Sequence, residues 1–222
     1  MSAHLLRELE NLKRRALSVG GMVEDAIAKA VQAMLHRDAR LASDIIRADA
    51  EIDQTEVEVE EECLKLLALY QPVAADLRFI VAVLKMNGDL ERMGDLAVNI
   101  AKGAVRLAAG EPVEVPGDFA TMAAKARSMI TRSLDAVVNA DPVLAAKVCA
   151  DDDEVDDMKR SMCDIIQGEM GSSRERDESL LTIFMAVSHL ERLADMATNI
   201  AEDVVYMVKG RIVRHQGPAR AK

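Results

Sequence analysis

The pattern Glu-Arg-x-x-Asp-x-x-x-Asn-Ile-Ala occurs twice in this chain, at Glu91–Ala101 and again at Glu191–Ala201. Aligned from Leu90 and Leu190, eight of twelve positions are identical. An α-helix turns about 100° per residue, so Glu91, Asp95 and Asn99 fall on one stripe, as do Glu191, Asp195 and Asn199. The apolar positions Met93, Ala97 and Ile100 point almost the opposite way. The carboxylates are therefore directed outward, where core formation does not require them. A further pair of acids precedes each motif: Asp49 and Asp53 in Ala48–Asp53, and Asp152 and Asp156 in the matching Asp151–Asp156.

Four carboxylates and an amide on two facing helices could together bind a cation. Hard cations take several oxygen ligands, and softer ones accept carboxylates where water completes the shell. Bridging carboxylates would suit a multinuclear site. The candidate ligands are Asp49, Asp53, Glu91, Asp95 and Asn99 in one set, and Asp152, Asp156, Glu191, Asp195 and Asn199 in the other. Asp153 and Asp157 share the spacing of Asp152 and Asp156, which leaves that choice open. A solvated acidic face, with Arg92 or Arg192 pairing with the acids, is the plain alternative. Recurrence of the whole constellation raises the metal reading above that of any single pair.

Long helices must position these stripes. Leu5, Leu9, Leu12, Ala16, Val19, Val23, Ala26, Ala30 and Ala33 alternate steps of four and three, the seam of an amphipathic helix ending near His36-Arg37. Asp38 can cap a second helix to Tyr70, with a seam of Leu41, Ala48, Ile52 and Val59. Gln71-Pro72 breaks it. A third runs from about Ala75 to Ala109. Gly110–Gly117 is dense in Pro and Gly and marks a boundary. Asp118 starts a fourth helix, and Asp141-Pro142 opens a fifth that reaches Gly171. A sixth runs from Arg174 to Lys209 and stops at Gly210. The expectation is an all-α chain of two tandem antiparallel three-helix bundles, elongated in shape. Residues 1–110 form the first bundle, 111–117 the linker and 118–214 the second, with a disordered tail at 215–222. The repeat offset is 103 for the upstream acids and 100 for the downstream motif, a change that falls across a turn.

Composition removes several function classes. With a net charge of −10 and a pI near 5.0 over 222 residues, the chain lacks the basic face that phosphate contacts of nucleic acid need. Cys63, Cys149 and Cys163 show no C-x-x-C spacing and read as packed, reduced thiols. The first residues are charged too early for a secretory signal, and no apolar run would cross a bilayer. The expected location is the cytoplasm. None of His4, His36, His189 and His215 follows a Glu by three residues, which argues against a carboxylate-bridged dimetal enzyme. His189 aligns with Asp89 and reads as a surface histidine or an extra ligand. Asp151–Glu154 lacks the glycine turn of a calcium loop. Met122, Met129, Met158 and Met162 read as core filler. A purely structural helical scaffold is a further alternative.

Three stretches together resemble the PhoU family, the accessory proteins of phosphate-specific transport. They are Gln71–Arg78, Asp89–Asp95 with Asn99–Ala101, and His189–Asp195 running through Asn199–Glu202 to Gly210–His215. The resemblance covers nearly the whole chain. It implies two three-helix bundles with pseudo-twofold symmetry and surface metal sites built from (Glu/Asp)-x-x-x-Asp motifs. Those motifs here are Asp49/Asp53, Glu91/Asp95, Asp152/Asp156 and Glu191/Asp195. Iron, zinc, manganese and magnesium all stay open, as does nuclearity. The resemblance also implies a cytoplasmic, non-enzymatic negative regulator of the phosphate-starvation response. Such a protein connects the phosphate ABC transporter, through its ATPase subunit, with a sensor histidine kinase. Exposed helical faces add the expectation of a homodimer. The second copy has Ala194 in place of Gly94 and no counterpart of Gln71–Arg78; neither change removes a candidate ligand.

Overall fold

Apolar residues spaced by three and four fold the chain into seven helices: α1 (Ala3–His36), α2 (Ala39–Tyr70), α3 (Ala74–Ala109), α4 (Asp118–Asn139), α5 (Pro142–Ala150), α6 (Asp152–Glu169) and α7 (Arg174–Lys209). The structure is a computed structural model and describes residues 3–210. The expected tail at 215–222 and the residues 211–214 assigned to the second bundle lie outside the described residues.

Side chains and turns set the helix ends. The Asp38 carboxylate accepts hydrogen bonds from the backbone of Arg40 and Leu41 at the start of α2. Asp141 does the same for Val143 and Leu144, with Pro142 in the first turn of α5. Gly210 closes α7 at φ 66°, and its N–H donates to the Tyr206 carbonyl. The stretch from Gly110 to Gly117 connects α3 to α4 without helix. It is held by the Arg37 guanidinium, which donates to the carbonyls of Leu107 (3.2 Å) and Val113 (2.7 Å).

The single fifth helix expected from Asp141 to Gly171 is divided at Asp151. This residue keeps helical dihedrals (φ −83°, ψ −9°), but its N–H reaches back only three residues, to Val148. Its carboxylate lies 2.6 Å from Arg132 on α4. The tightened turn ends α5, and the run Asp152-Asp153-Glu154 opens α6, where negative charge meets the positive end of the helix dipole.

Within each repeat three helical arms pack together: α1, α2 and α3, then α4, α5/α6 and α7. The repeats join through α3 against α7 and α1 against α4, so these four helices form a closed ring with α2 and α5/α6 flanking it. The ring packs side by side, which makes the molecule broader than an end-to-end array. Helices α3 and α7 run antiparallel. Arg78 donates to the Met207 carbonyl (3.0 Å) at one end, and Lys85 pairs with the buried Asp203 (3.1 Å) two turns on. The two repeats are thus related by a pseudo-twofold passing between α3 and α7. Where α1 meets α4, Gly20 leaves room for Leu134; a Cβ there would stand 2.6 Å from Leu134 Cδ1.

Tertiary packing shifts two expected seams. On α1 the core passes from Val23 to Ile27, which is fully buried, while Ala26 is only half-buried. On α2 the core is Ala42, Ile45, Ile52, Val59, Cys63 and Leu66; Leu41 is half-buried and Ala48 exposed. The α3 seam of Leu90, Met93, Ala97, Ile100, Ala104 and Leu107 is buried throughout, and so are Asp89, Leu96, Val98 and Gly103. A helix with neighbours on three sides keeps only a narrow wet stripe, and on α3 that stripe contains Glu91, Arg92, Asp95, Asn99 and Lys102.

Candidate metal centres

The wet stripe of α3 faces α2 across a groove. Asp49 and Asp53 line it from α2, and Glu91 and Asp95 from α3; Asp49 and Glu91 are half-buried, while Asp53 and Asp95 are exposed. The helices approach closely at Gly94, where a Cβ would stand 3.5 Å from Asp49 Oδ1 and from Ile52 Cγ2. That is ordinary contact distance, which explains how Ala194 serves at the matching place.

Electrostatics locate these acids against one another. Burial pushes the Asp49 carboxyl above its ordinary value, and the charges of Asp53 and Asp95 push it the same way, against Lys102. Burial likewise raises Glu91, with Asp95 and Asp53 adding to the shift and Arg92 opposing it. The groove also holds an acid that motif reasoning passed over. Glu56 is raised by burial and by the charges of Glu60, Glu91 and Asp53. It is gripped by Asn87, fully buried one turn before Glu91, whose Nδ2 donates to Glu56 Oε1 (2.7 Å) and to the Glu56 carbonyl (2.9 Å).

The second groove lies between α6 and α7. Asp152 and Asp156 are half-buried on α6, facing Glu191 and Asp195 on α7. Burial and then the charges of Asp195, Asp156, Asp153 and Glu191 push the Asp152 carboxyl up to about 6. Asp195 is raised by burial, Glu191 and Asp156, against Lys159 and Arg192. Asp153 and Asp157 are exposed, and Asp157 pairs with Arg160, so Asp152 and Asp156 face α7. Lys159, also missed by motif reasoning, places Nζ 2.9 Å from Glu191 Oε1. The expected pairing of Arg92 with a motif acid is replaced by a 2.6 Å bond to Asp89.

Not every candidate is drawn in. Asn99 and Asn199 are half-buried one turn beyond the aspartates, and among the described residues no hydrogen bond ties either amide to the groove acids. Nor are three or more His, Cys, Asp or Glu side chains gathered into a ready coordination sphere among the described residues. The donor set nonetheless fits a hard cation: oxygen donors on two helices, crowded enough that Asp49, Glu91, Asp152 and Asp195 hold a proton more tightly than usual. His189 is not the surface histidine expected. It is half-buried with Nδ1 unpartnered, and burial together with Arg192 and Arg106 pushes the imidazole below its ordinary value. Cys63 and Cys149 are pushed up to about 12 and about 11 by burial, which keeps both thiols protonated and inert.

Residues 16–104 and 119–204 each match the PhoU domain family. The chain belongs to the PhoU family. A PhoU homolog of Pseudomonas aeruginosa, named a phosphate-specific transport system accessory protein, is 36% identical over 219 residues, covering 97% of this chain and 89% of the relative. The PhoU homolog of Aquifex aeolicus, with the same description, is 36% identical over 213 residues, covering 96% of each. The crystal structure of PhoU from Pseudomonas aeruginosa superposes with a TM-score of 0.88 at 34% identity, over 92% of this chain and 99% of that one. That of the phosphate transport system regulatory protein PhoU from Streptococcus pneumoniae gives 0.87 at 31%, over 94% and 99%. Each PhoU domain match thus contains one motif helix with its upstream acids.

The crowding in the second PhoU repeat has a measurable consequence. The folded pKa of Asp152 lies above its value of 3.8 elsewhere, so the folded chain holds this proton more tightly than the unfolded one. The penalty is absent below pH 3.8, grows as pH rises to about 6, and is constant above that. In metal-free protein Asp152→Asn is therefore expected to add about 1 kcal/mol of stability at pH 7, a figure reduced for solvent screening of a half-exposed group, and to add nothing at pH 3.5. Urea unfolding in chelator at the two pH values checks this.

Proposed function

We propose that this chain is a regulatory adaptor of phosphate homeostasis rather than an enzyme. Its two acidic grooves bind metal ions, and the braced surface docks on partners at the membrane. It acts in the cytoplasm, as a homodimer, and represses the phosphate-starvation response and phosphate uptake by linking the phosphate ABC transporter to its sensor histidine kinase. The regulatory reading is carried by a match along nearly the whole chain to accessory proteins of phosphate-specific transport. Two features support the rest. No helix among the described residues is long and apolar enough to cross a membrane, in keeping with a peripheral role. The groove acids lie on an open outer face, where a metal would shape a docking surface.

A deletion strain carrying a phosphate-starvation reporter tests the role. Loss of the chain is expected to leave the reporter on in plentiful phosphate, and the wild-type chain to restore repression. A chain with Asp53, Asp95, Asp156 and Asp195 all changed to Asn is expected to fail while accumulating normally. Mass spectrometry of untagged protein should find metal in the wild type and little in that variant. Repression by the variant at wild-type level would make the grooves irrelevant to regulation.

A further inference from the structure

On the α1 side of α2 the two repeats are finished differently. Helices α1 and α4 align at an offset of 103: Val23, Ile27, Ala30 and Ala33 match Ala126, Ile130, Ser133 and Ala136, and all are buried. Helix α2 keeps that offset against α5 and α6, with Ala42, Ile45 and Ile52 matching Ala145, Val148 and Val155. In the second repeat the chain closes the space between these helices itself. Met129 is buried there, at 1% exposure. One turn before it Lys125 reaches Glu154 (2.7 Å), and one turn after it Arg132 reaches Asp151 (2.6 Å). Two ion pairs thus strap α4 to the junction of α5 and α6.

The first repeat has neither the filling nor the straps. Met22 stands for Lys125, Ala26 for Met129 and Ala48 for Asp151. Lys29, matching Arg132, is bonded to Asp25 on its own helix (2.5 Å). Glu51, matching Glu154, is exposed, and no ion pair is formed by it among the described residues. Ala26 is half-buried and Ala48 exposed. What remains is an open cavity of about 350 Å³ with Met22, Leu41, Ile45 and Val98 in its apolar wall. Four acids line it, Asp25, Asp44, Asp49 and Glu51, against one base, Lys29.

We propose that this cavity between α1 and α2 is the docking site of a basic amphipathic helix from a partner protein. The partner supplies what the second repeat supplies for itself: a long apolar side chain in the space left by Ala26 and Ala48, and a lysine or arginine against Glu51. The apolar wall takes the anchor of such a helix, and the acidic rim selects its basic flank over an acidic one. This gives the adaptor reading a contact surface, and it rests on that reading.

A labelled helical peptide with leucines on one face and lysines on the other probes the site by fluorescence anisotropy. The same peptide with glutamate for lysine is the control. The lysine peptide is expected to bind the wild type, more weakly as salt rises, and the glutamate peptide to stay free. Met22→Lys with Ala26→Met fills the cavity as the second repeat does, and should weaken binding roughly tenfold or more. Glu51→Gln, an exposed change that leaves the fold alone, should weaken it about threefold. Equal binding to the wild type and the filled variant overturns the site, and so does equal binding of the two peptides. A changed oligomeric state of the filled variant in sedimentation would assign the cavity to a second copy of this chain and overturn the partner helix. In the deletion strain the filled variant should accumulate normally yet fail to repress the reporter in plentiful phosphate. Full repression by that variant overturns the docking site and leaves the adaptor reading standing. A deletion strain that stays repressed overturns both.

Discussion

A divalent cation added to metal-free protein at a hundredfold excess over its dissociation constant is expected to stabilise the fold by about 2.7 kcal/mol for each groove it occupies. In a chain of this size each kcal/mol moves the unfolding midpoint by about 2–4 °C, so one filled groove raises it by roughly 5–10 °C. The reason lies in the electrostatics of the empty grooves. Asp49, Glu91, Asp152 and Asp195 all hold their protons more tightly than usual, because burial and neighbouring acids disfavour their charged forms. Acid crowding pushes α2 from α3 and α6 from α7, and a bridging cation turns that repulsion into attraction. Pairwise neutralisation, Asp53→Asn with Asp95→Asn or Asp156→Asn with Asp195→Asn, should leave the chelated protein as stable as wild type or more so. It should also abolish that groove's share of the metal response. Scanning calorimetry with and without chelator separates the cases; variants that still gain as much from metal as the wild type would place the cation elsewhere.

Phe119→Ala is expected to cost about 3–5 kcal/mol, the usual range for deleting a fully buried aromatic ring. Phe119 is 0% exposed at the start of α4, where its N–H donates to the Pro116 carbonyl and anchors the chain leaving the linker. The effect should not stay in the second repeat. Buried residues from all seven helices belong to one continuous apolar cluster, because α3 lies along α7 and α1 along α4. Urea unfolding should therefore remain a single transition, with a lower midpoint and an unchanged slope. Hydrogen exchange should show protection falling in α2 together with α4. A variant that unfolds in two steps, keeping the first repeat protected, would show that the halves are energetically separate.

Most of this architecture could be read from residue types. Asp38, Asp141-Pro142 and Gly210 do the work expected of caps, because a cap depends on its own few residues. The division at Asp151 was not legible: its dihedrals stay helical, and the Arg132 carried to its carboxylate comes from another helix. The shift from Ala26 to Ile27, the exposure of Ala48 and the burial of Asp89 and Val98 depend on how the neighbouring helices lie, which local periodicity cannot say. In the grooves, the i,i+4 arithmetic placed both acid pairs on facing stripes. Choosing Asp152 and Asp156 over Asp153 and Asp157 needed the position of α7. Glu56 was within reach of the same arithmetic, since it lies seven residues from Asp49. Asn87 was not, because its role depends on depth. His189 defied its expectation for the same reason.

The antiparallel contact of α3 with α7 gives the outer face an approximate dyad. Turned through half a revolution, each groove comes to rest near the place of the other. A monomeric partner that recognises only what the repeats share meets two equivalent poses, a degeneracy worth RT ln 2, or about 0.4 kcal/mol of binding free energy, and gains no sense of direction. A partner with its own twofold axis can engage both halves at once. Glu56 against Lys159 and Lys102 against Glu202 break the dyad at two matched positions, and these exchanges of carboxylate and ammonium give the face a head and a tail.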